Sequence, residues 1–384
     1  MPAVLMRDLF LGMSAIPSIY YTIALVSSVK FFRSARVEAG DNRGFVPPVS
    51  ILKPVRGLDP GAYENFVSFC RQDYPDYEIL FCVGDTSDPA FPLLEQLVRE
   101  FPDRRIRILI GSGREATNDK VAKLVRLVNE ASHEYLVIND SDVRVEPDYL
   151  RKIVAPLQDP KVGAVTCFYV PTEDTNWVQR LQDVGMISDF YPGILVAKEL
   201  DGVKFALGPT IGTTRKHLQA FGGYAFLENR PADDLLVGRL IADRGYEVKL
   251  LPYSISTVPD YQGLKDLFHK RLRWITVMRH MRPWGHFGLI FTLGLPWALL
   301  ALAVHPTLAI AASYLGGYFL FRAAMTAVVG IWGLGQRRVW GKMLLLPVWD
   351  GLACLIWLVS FARKGIRWRG QNYLIRDGEL VPAP

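Results

Sequence analysis

The sequence predicts an α/β domain with a mostly parallel sheet, flanked on both sides by helices long and apolar enough to cross a membrane. Two observations carry that reading. Mean hydropathy is positive although 21% of the 384 residues are charged, so apolar residues are gathered into blocks rather than spread along the chain. Between Pro47 and about Pro259, short β-branched runs alternate with polar stretches of helical spacing, the pattern of strands joined by crossover helices.

Residues 9–29 carry no charge, and a helix of ~20 such residues spans a ~30 Å hydrocarbon core. Pro17 predicts a kink in it. Lys30, Arg33 and Arg36 follow the run rather than precede it, and no small-residue cleavage site stands before them. That argues for an anchor over a cleaved leader and, by the positive-inside rule, keeps the chain beyond it in the cytoplasm. Strands are predicted at 49–53, 77–83, 106–110, 135–139 and 162–167, with helices at 62–72, 90–101, 120–131 and 147–157. Functional loops then belong after the carboxyl ends of the strands.

Residues 262–284 place Lys265, Lys270, Arg271, Arg273, Arg279 and Arg282 against the single acid Asp266, while Leu264, Leu267, Phe268, Leu272, Ile275 and Met278 recur at helical spacing. The stretch reads as a basic amphipathic helix on the membrane surface. Residues 285–321 again lack Asp, Glu, Lys and Arg, and His305-Pro306 divides them into two arms of a transmembrane hairpin. A third apolar run, 343–361, is interrupted by Asp350. Basic residues flank it on both sides, Arg337, Arg338 and Lys342 before, Arg363, Lys364, Arg367 and Arg369 after, so either one flank breaks the positive-inside rule or the run is re-entrant. The expected organisation is an anchor at 1–36, a cytoplasmic catalytic domain at 37–261, an interfacial segment at 262–284 and a membrane domain with about three apolar runs at 285–384.

Lys and Arg outnumber Asp and Glu by 44 to 38, and the excess lies beside the apolar runs, where anionic head groups attract it. Nucleic acid is the weaker reading of that charge, and no obligate protein partner is evident. Cys70, Cys82, Cys167 and Cys354 have no metal-like spacing and sit among apolar neighbours, as small core residues do.

The strongest chemical signal is Asn139-Asp140-Ser141-Asp142 at the exit of a buried strand, where two carboxylates one residue apart can share a hard cation and a diphosphate. An Asx-turn is the competing structural reading. Asp85 follows the strand before it in the same way and opens onto the same crevice, unless 85–89 is merely a turn. Asp233 and Asp234 stand at an apparent helix start, where capping accounts for one and a general base for the other. Attraction to lipid head groups covers most of the charges in 262–284. Arg273 and Trp274 are the exceptions, since a guanidinium clamps phosphate and an indole stacks or anchors at the interface.

In this order, Asp85, Asp140-Ser141-Asp142, Asp234 and Lys270-Arg271-Leu272-Arg273-Trp274 resemble the D, D, D, (Q/R)xxRW pattern of the ceramide glucosyltransferase family. Lys53-Pro54-Val55-Arg56-Gly57-Leu58-Asp59 and Arg71-Gln72-Asp73-Tyr74-Pro75 look like that family's early segments. The resemblance covers roughly 49–284. It implies a GT-A nucleotide-diphospho-sugar transferase fold, a UDP-sugar donor, Mg²⁺ or Mn²⁺, inversion at the anomeric carbon and a lipid acceptor at the membrane. By the same resemblance, Asp85 contacts the nucleoside, Asp140 and Asp142 handle diphosphate and metal, and Asp234 is the base. Arg273 and Trp274 close over diphosphate and acceptor, Lys120 meets the nucleotide, and Gly208 to Thr210 wall the sugar.

One position departs from the pattern. Lys270 stands where the family has Gln or Arg, unless the frame shifts onto Arg271, and lysine keeps the charge without the bidentate fork. Hopanoid-modifying transferases look similar in the same motifs and would move an N-acetylhexosamine to a hopanoid polyol. Residues 184–197, with Asp189, Tyr191 and Pro192, form either a wall of the lipid pocket or an ordinary core helix. The rival functions are a processive polysaccharide synthase, for which three later apolar runs make a poor channel, and a non-catalytic lipid- or nucleotide-binding membrane protein. Compact loops and the lack of a sorting tail point to a bacterial inner membrane, with the catalytic domain on its cytoplasmic face.

Overall fold

The computed structural model describes residues 2–37, 44–172, 175–258, 262–368 and 371–383; Arg369, Pro259, the join at 261 and the side chain of Arg36 lie outside the described residues. Eight strands form one sheet: β1 (Val49–Pro54), β2 (Tyr77–Val83), β3 (Arg105–Ile110), β4 (Tyr135–Ile138), β5 (Val143–Arg144), β6 (Val162–Pro171), β7 (Ile211–Thr214) and β8 (Glu247–Thr257). Their order is β3-β2-β1-β4-β7-β6-β8-β5. β1, β2, β3 and β4 are parallel, as are β6 and β8, whereas β7 runs antiparallel to both its neighbours. The sheet is therefore mixed. The helices Ala62–Cys70, Phe91–Glu100, Asp119–Glu130 and Tyr149–Val154 occupy the expected places.

Alternation along the strands sends Val49, Ile51, Ile79, Phe81 and Val137 into one apolar core and Leu52, Leu80, Cys82, Leu136 and Ile138 into another on the opposite face. Reversal of β7 has a specific consequence. Because Ile211 pairs with Ile138, the chain entering β7 lies beside the chain leaving β4, and the turn at 207–210 meets Asn139 and Asp140.

Three described helices are long and apolar enough to cross a membrane, Val4–Ser34, Leu308–Gly333 and Arg337–Phe361; the pair Pro283–Thr292 and Gly294–Val304, bent by 55°, makes a fourth if it is one span. The first breaks at Ala15, two residues before Pro17, as a ring at that position demands of the turn preceding it. The hairpin arms part at His305-Pro306, but the second arm continues past 321 to Gly333, across Arg322. Arg322 can be buried there because its guanidinium pairs with Asp350 at 2.5 Å, while Tyr318 donates to the other Asp350 oxygen at 2.7 Å. The acid that interrupts the third apolar run is thus the counter-ion of the second. Arg322 also donates to the carbonyl and hydroxyl of Ser188, which ties these helices to the α/β domain.

The final apolar helix runs alongside the helix Leu264–Met281. Leu267 packs with Leu346 and Trp349 near one end, and Arg279 donates to the carbonyls of Phe361 and Arg363 near the other. Lys342 is buried against Asp183 at 2.6 Å. Both basic flanks therefore border the α/β domain or the helix Leu264–Met281.

A buried pair is costly to break and cheap to replace. Arg322→Met or Asp350→Leu alone should lower stability by about 3–5 kcal/mol, and the double variant should recover most of that loss. Thermal melts of the detergent-purified full chain check it, and additive losses would show that the two side chains are not energetically coupled.

Candidate active site

β1 ends in Lys53, which is fully buried, lies 3.7 Å from the Phe69 ring centroid and donates to the Asp140 carbonyl at 2.9 Å. Burial brings its ammonium down to about 7, against the opposing charges of Asp140, Asp142 and Asp59. From β4 the chain passes into Asn139, whose buried amide donates to Tyr149 at 2.7 Å, to the Pro209 carbonyl at 2.8 Å and to Thr210 at 3.1 Å. These bonds lock the Asp-x-Asp segment to the 207–210 turn. Ser141 donates to Asp59 at 2.5 Å and so fixes the residue between the two acids.

Asp140 pairs with Lys120 at 2.8 Å, and the same ammonium reaches Asp233 at 3.2 Å. Burial opposes the charge on Lys120, but Asp140, Asp233 and Asp234 together hold it well above the usual amine range. The helix Asp233–Asp243 starts from Ala232, a non-glycine residue at φ 54°. Asp234 accepts the N–H of Leu235 at 2.8 Å. Burial, then the charge of Asp233, pushes its carboxyl up to about 6, with Lys120 opposing and Asp140 adding to the rise.

Gly208 lies between the acids of the two halves. A Cβ there would sit 2.7 Å from Asp234 Oδ2 and in ordinary contact, 3.5 Å, with Asp140 Oδ2, so a larger residue would displace the Asp234 carboxylate from its present place. Thr210, two residues on, is fully buried, and its hydroxyl bonds with Asn139 and Tyr149, so it supports the turn from behind rather than walling the crevice.

Asp142 is pushed up to about 7 by burial and then by the charge of Asp140, with Asp59 adding to the rise and Lys270 and Lys53 opposing it. The interfacial helix Leu264–Met281 therefore brings Lys270 to the Asp-x-Asp segment. Lys270 also lies 5.6 Å from the Trp274 ring centroid, one turn along the same face. Trp274 packs on Phe190 at 5.9 Å and under Arg271 at 4.9 Å, and Arg271 is buried, donating to Gln182 at 2.9 Å. Arg273 looks the other way, over Trp368 at 5.7 Å. Residues 184–197 contain the π-helical turn Met186–Phe190; Tyr191 is fully buried, and Phe190 carries the contact with Trp274.

Asp85 is exposed and belongs to a neighbouring cluster. It accepts the N–H of Ser87 at 2.7 Å and its hydroxyl, and the hydroxyl bond above all holds it below the usual carboxylate range. Beside it Lys123, almost fully buried, donates to the Val55 carbonyl and to Asp119, each at 3.0 Å, and Asp88 accepts the N–H of Gly57 at 3.0 Å. The crevice thus brings Lys120, Asp140, Asp142, Gly208, Asp234 and Lys270 together, and joins to them Lys53, Asp59 and Asp233, to which the motifs alone give no place in a site. Lys123 stands apart with Asp85.

Among the described residues, no three His, Cys, Asp or Glu side chains are grouped as metal ligands. Asp140 and Asp142 nonetheless suit Mg²⁺ or Mn²⁺, which take one or two protein carboxylates and complete their shell with phosphate oxygens and water. Burial and then repulsion from Asp140 raise Asp142, and both have the sign a bound cation opposes.

The mixed α/β sheet with an acidic crevice at the end of β4 has the architecture of the GT-A-like glycosyltransferases. A mannosyltransferase from Pyrobaculum calidifontis, solved with GDP-Man and Mn²⁺, shares the fold at a TM-score of 0.58 and 19% identity, over 90% of this chain and 99% of that one. The chain belongs to glycosyl transferase family 21, whose model matches residues 10–381. It is 21% identical to ceramide glucosyltransferase 3 of Caenorhabditis elegans over 238 residues, 62% of this chain and 52% of that protein. It is 32% identical to the ceramide glucosyltransferase of Gibberella zeae over 154 residues, 38% of this chain and 28% of that protein. At most, then, the chain spans about half the length of these relatives.

A carboxylate that must be ionised to act, and whose proton leaves at about 6, makes turnover rise with pH through that value to a plateau. The pH–rate profile of the purified chain should show that acid limb; activity that stays flat down to the ordinary carboxylate range would remove Asp234 from the reaction.

Proposed function

We propose that this chain transfers one sugar, glucose in the leading reading, from a UDP-sugar to the primary hydroxyl of ceramide or a similar lipid, inverting the anomeric carbon. The observation that carries the proposal is the convergence on Gly208 of Asp140 from the Asp-x-Asp segment and Asp234 from the start of a later helix. Diphosphate belongs with the first and the attacking hydroxyl with the second.

Asp234 takes the hydroxyl proton as the oxygen attacks. With its pKa raised to about 6 it is still ionised at neutral pH, yet a better base than an ordinary aspartate. Lys120 pairs with both Asp140 and Asp233 beside it. Lys270 is a cation next to Asp142, on the side where negative charge builds on the departing nucleotide, while Trp274, one turn along the same helix, adjoins the acceptor's path and Arg273, over Trp368, lies to the other side. A divalent cation held by Asp140 and Asp142 supplies Lewis-acid neutralisation of that diphosphate. Asp85 and Lys123 form the nucleoside end of the crevice, and Lys120 adjoins the nucleotide.

The transfer is a single in-line displacement, with no sugar carried on the protein. The lipid reaches the site along the Phe190–Trp274 contact, where the α/β domain meets the apolar helices. The reading puts residues 37–261 on the cytoplasmic face of a bacterial inner membrane, with 262–284 at the interface and 285–384 in the membrane. Named relatives support ceramide as acceptor; a hopanoid polyol is the alternative the assay must offer.

Asp234→Asn preserves shape and removes the base. It should cut kcat by roughly 10²–10⁴-fold while UDP-sugar still binds with its native Kd. If donor binding is lost instead, Asp234 belongs to the nucleotide site.

A further inference from the structure

The chain beyond the last apolar helix folds into a three-stranded antiparallel sheet, β9 (Gly365–Trp368), β10 (Gln371–Arg376) and β11 (Glu379–Pro382). Its inner face packs against the rest of the chain. Ile366, Tyr373, Ile375 and Leu380 are buried with Val277 of the interfacial helix, and Ala232, Met281 and Trp368 pack against the same cluster. Leu380 donates its N–H to the Asn229 carbonyl at 2.6 Å. Trp368 lies under Arg273. The sheet thus touches both halves of the crevice, the helix that carries Lys270, Arg273 and Trp274 and the turn at 229–232 that leads into Asp234.

That turn needs an external hold. Ala232 sits at φ 54° and ψ 56°, a left-handed conformation that alanine adopts only when its surroundings impose it. No side chain caps the helix it opens. On its other side the turn hangs on backbone bonds to 117–118, with Asn118 donating to the Glu228 carbonyl at 2.9 Å and Thr117 to the Asn229 side chain at 3.3 Å. The apolar sheet is what packs on Ala232 itself. Were Ala232 to relax to a right-handed or extended conformation, the residues after it would swing with it, and Asp234 would lose its place over Gly208.

We infer that the C-terminal sheet is a positioning element for transfer: it clamps the 229–232 turn against the interfacial helix, imposes the left-handed conformation on Ala232 and thereby aims Asp234. Tyr373 and Leu380 act as positioning residues and touch no reactant. The inference rests on the reading of Asp234 as the base.

The test pairs damage to the sheet with a change that removes the need for it. Tyr373→Ala/Leu380→Ala, in the full chain, loosens the sheet; A232G lets the turn adopt positive φ without help. Each is assayed alone and combined for kcat, donor Kd and melting temperature, with Leu380→Ala alone as the milder variant should the double one fail to fold. Sheet damage should lower kcat about tenfold with donor Kd changed less than about twofold, and adding A232G should return most of the loss, as expected if the penalty is the strain at one residue. A kcat unchanged by the sheet variants, a parallel loss of donor binding, or a loss that A232G does not relieve would each overturn the inference. Asp234→Asn run beside them separates the two claims: full activity in that variant defeats the base assignment, whereas an inactive Asp234→Asn with unaffected sheet variants defeats the inference alone.

Discussion

Lys120 is the interaction around which the site is built. Its ammonium lies between Asp140, at the end of β4, and Asp233, at the start of a helix almost a hundred residues later. Five acids, Asp59, Asp140, Asp142, Asp233 and Asp234, converge at this end of the sheet, and like charges so close drive one another towards protonation. Burial and neighbouring acids already lift Asp142 to about 7 and Asp234 to about 6. Cations from three different elements, Lys53 at the end of β1, Lys120 and Lys270, oppose that repulsion, Lys53 the least firmly because burial brings it down to about 7. The antiparallel course of β7 makes this convergence possible, because it delivers Gly208, against which both Asp140 and Asp234 lie, to the end of β4.

The membrane helices are tied to this domain by polar bonds rather than by apolar contact alone. Arg322 and Asp350 neutralise each other while Arg322 holds Ser188 in the π-turn; Lys342 is buried against Asp183, and Arg271 against Gln182. All three attach to residues 182–188, the segment that ends in Phe190 and its contact with Trp274. Buried charge is an expensive way to join two parts, and its virtue is register, since a misdocked helix would leave an ion unpaired. The segment that leads to Phe190 is accordingly fixed both to the apolar helices, through Ser188 and Asp183, and to the helix Leu264–Met281, through Gln182.

Much of this is legible in the sequence, for reasons that differ residue by residue. β1, β2, β4 and β6 are buried runs of β-branched and aromatic residues and announce themselves. β7, Ile211-Gly212-Thr213-Thr214, has a single large apolar residue and exists because it is paired on both sides, so nothing local marks it. β8 is masked by Pro252 and by polar alternation. β10 and β11 do carry a local signal that motif order passes over: Asp377-Gly378, both at positive φ, is the pair a tight hairpin turn requires. Asp140, Asp142 and Asp234 stand out by motif order. Lys53 and Lys123 do not, because lysine is ordinarily an exposed residue and only the fold reveals that these two are buried, Lys53 with its ammonium on the Asp140 carbonyl and Lys123 with its own on Val55 and Asp119. Arg322 and Asp350, each an anomaly in an apolar run, become intelligible only as a pair.

The central claim is a single inverting transfer to a lipid hydroxyl, and the stereochemistry of the product tests it most directly. Purified full-length chain, supplied with Mg²⁺ or Mn²⁺, α-linked UDP-glucose and ceramide, with a hopanoid polyol offered in parallel, should yield a lipid carrying one hexose in β linkage, read by mass and by the anomeric proton signal. An α-linked product, a sugar covalently attached to the protein, or a ladder of longer glycans would contradict the account.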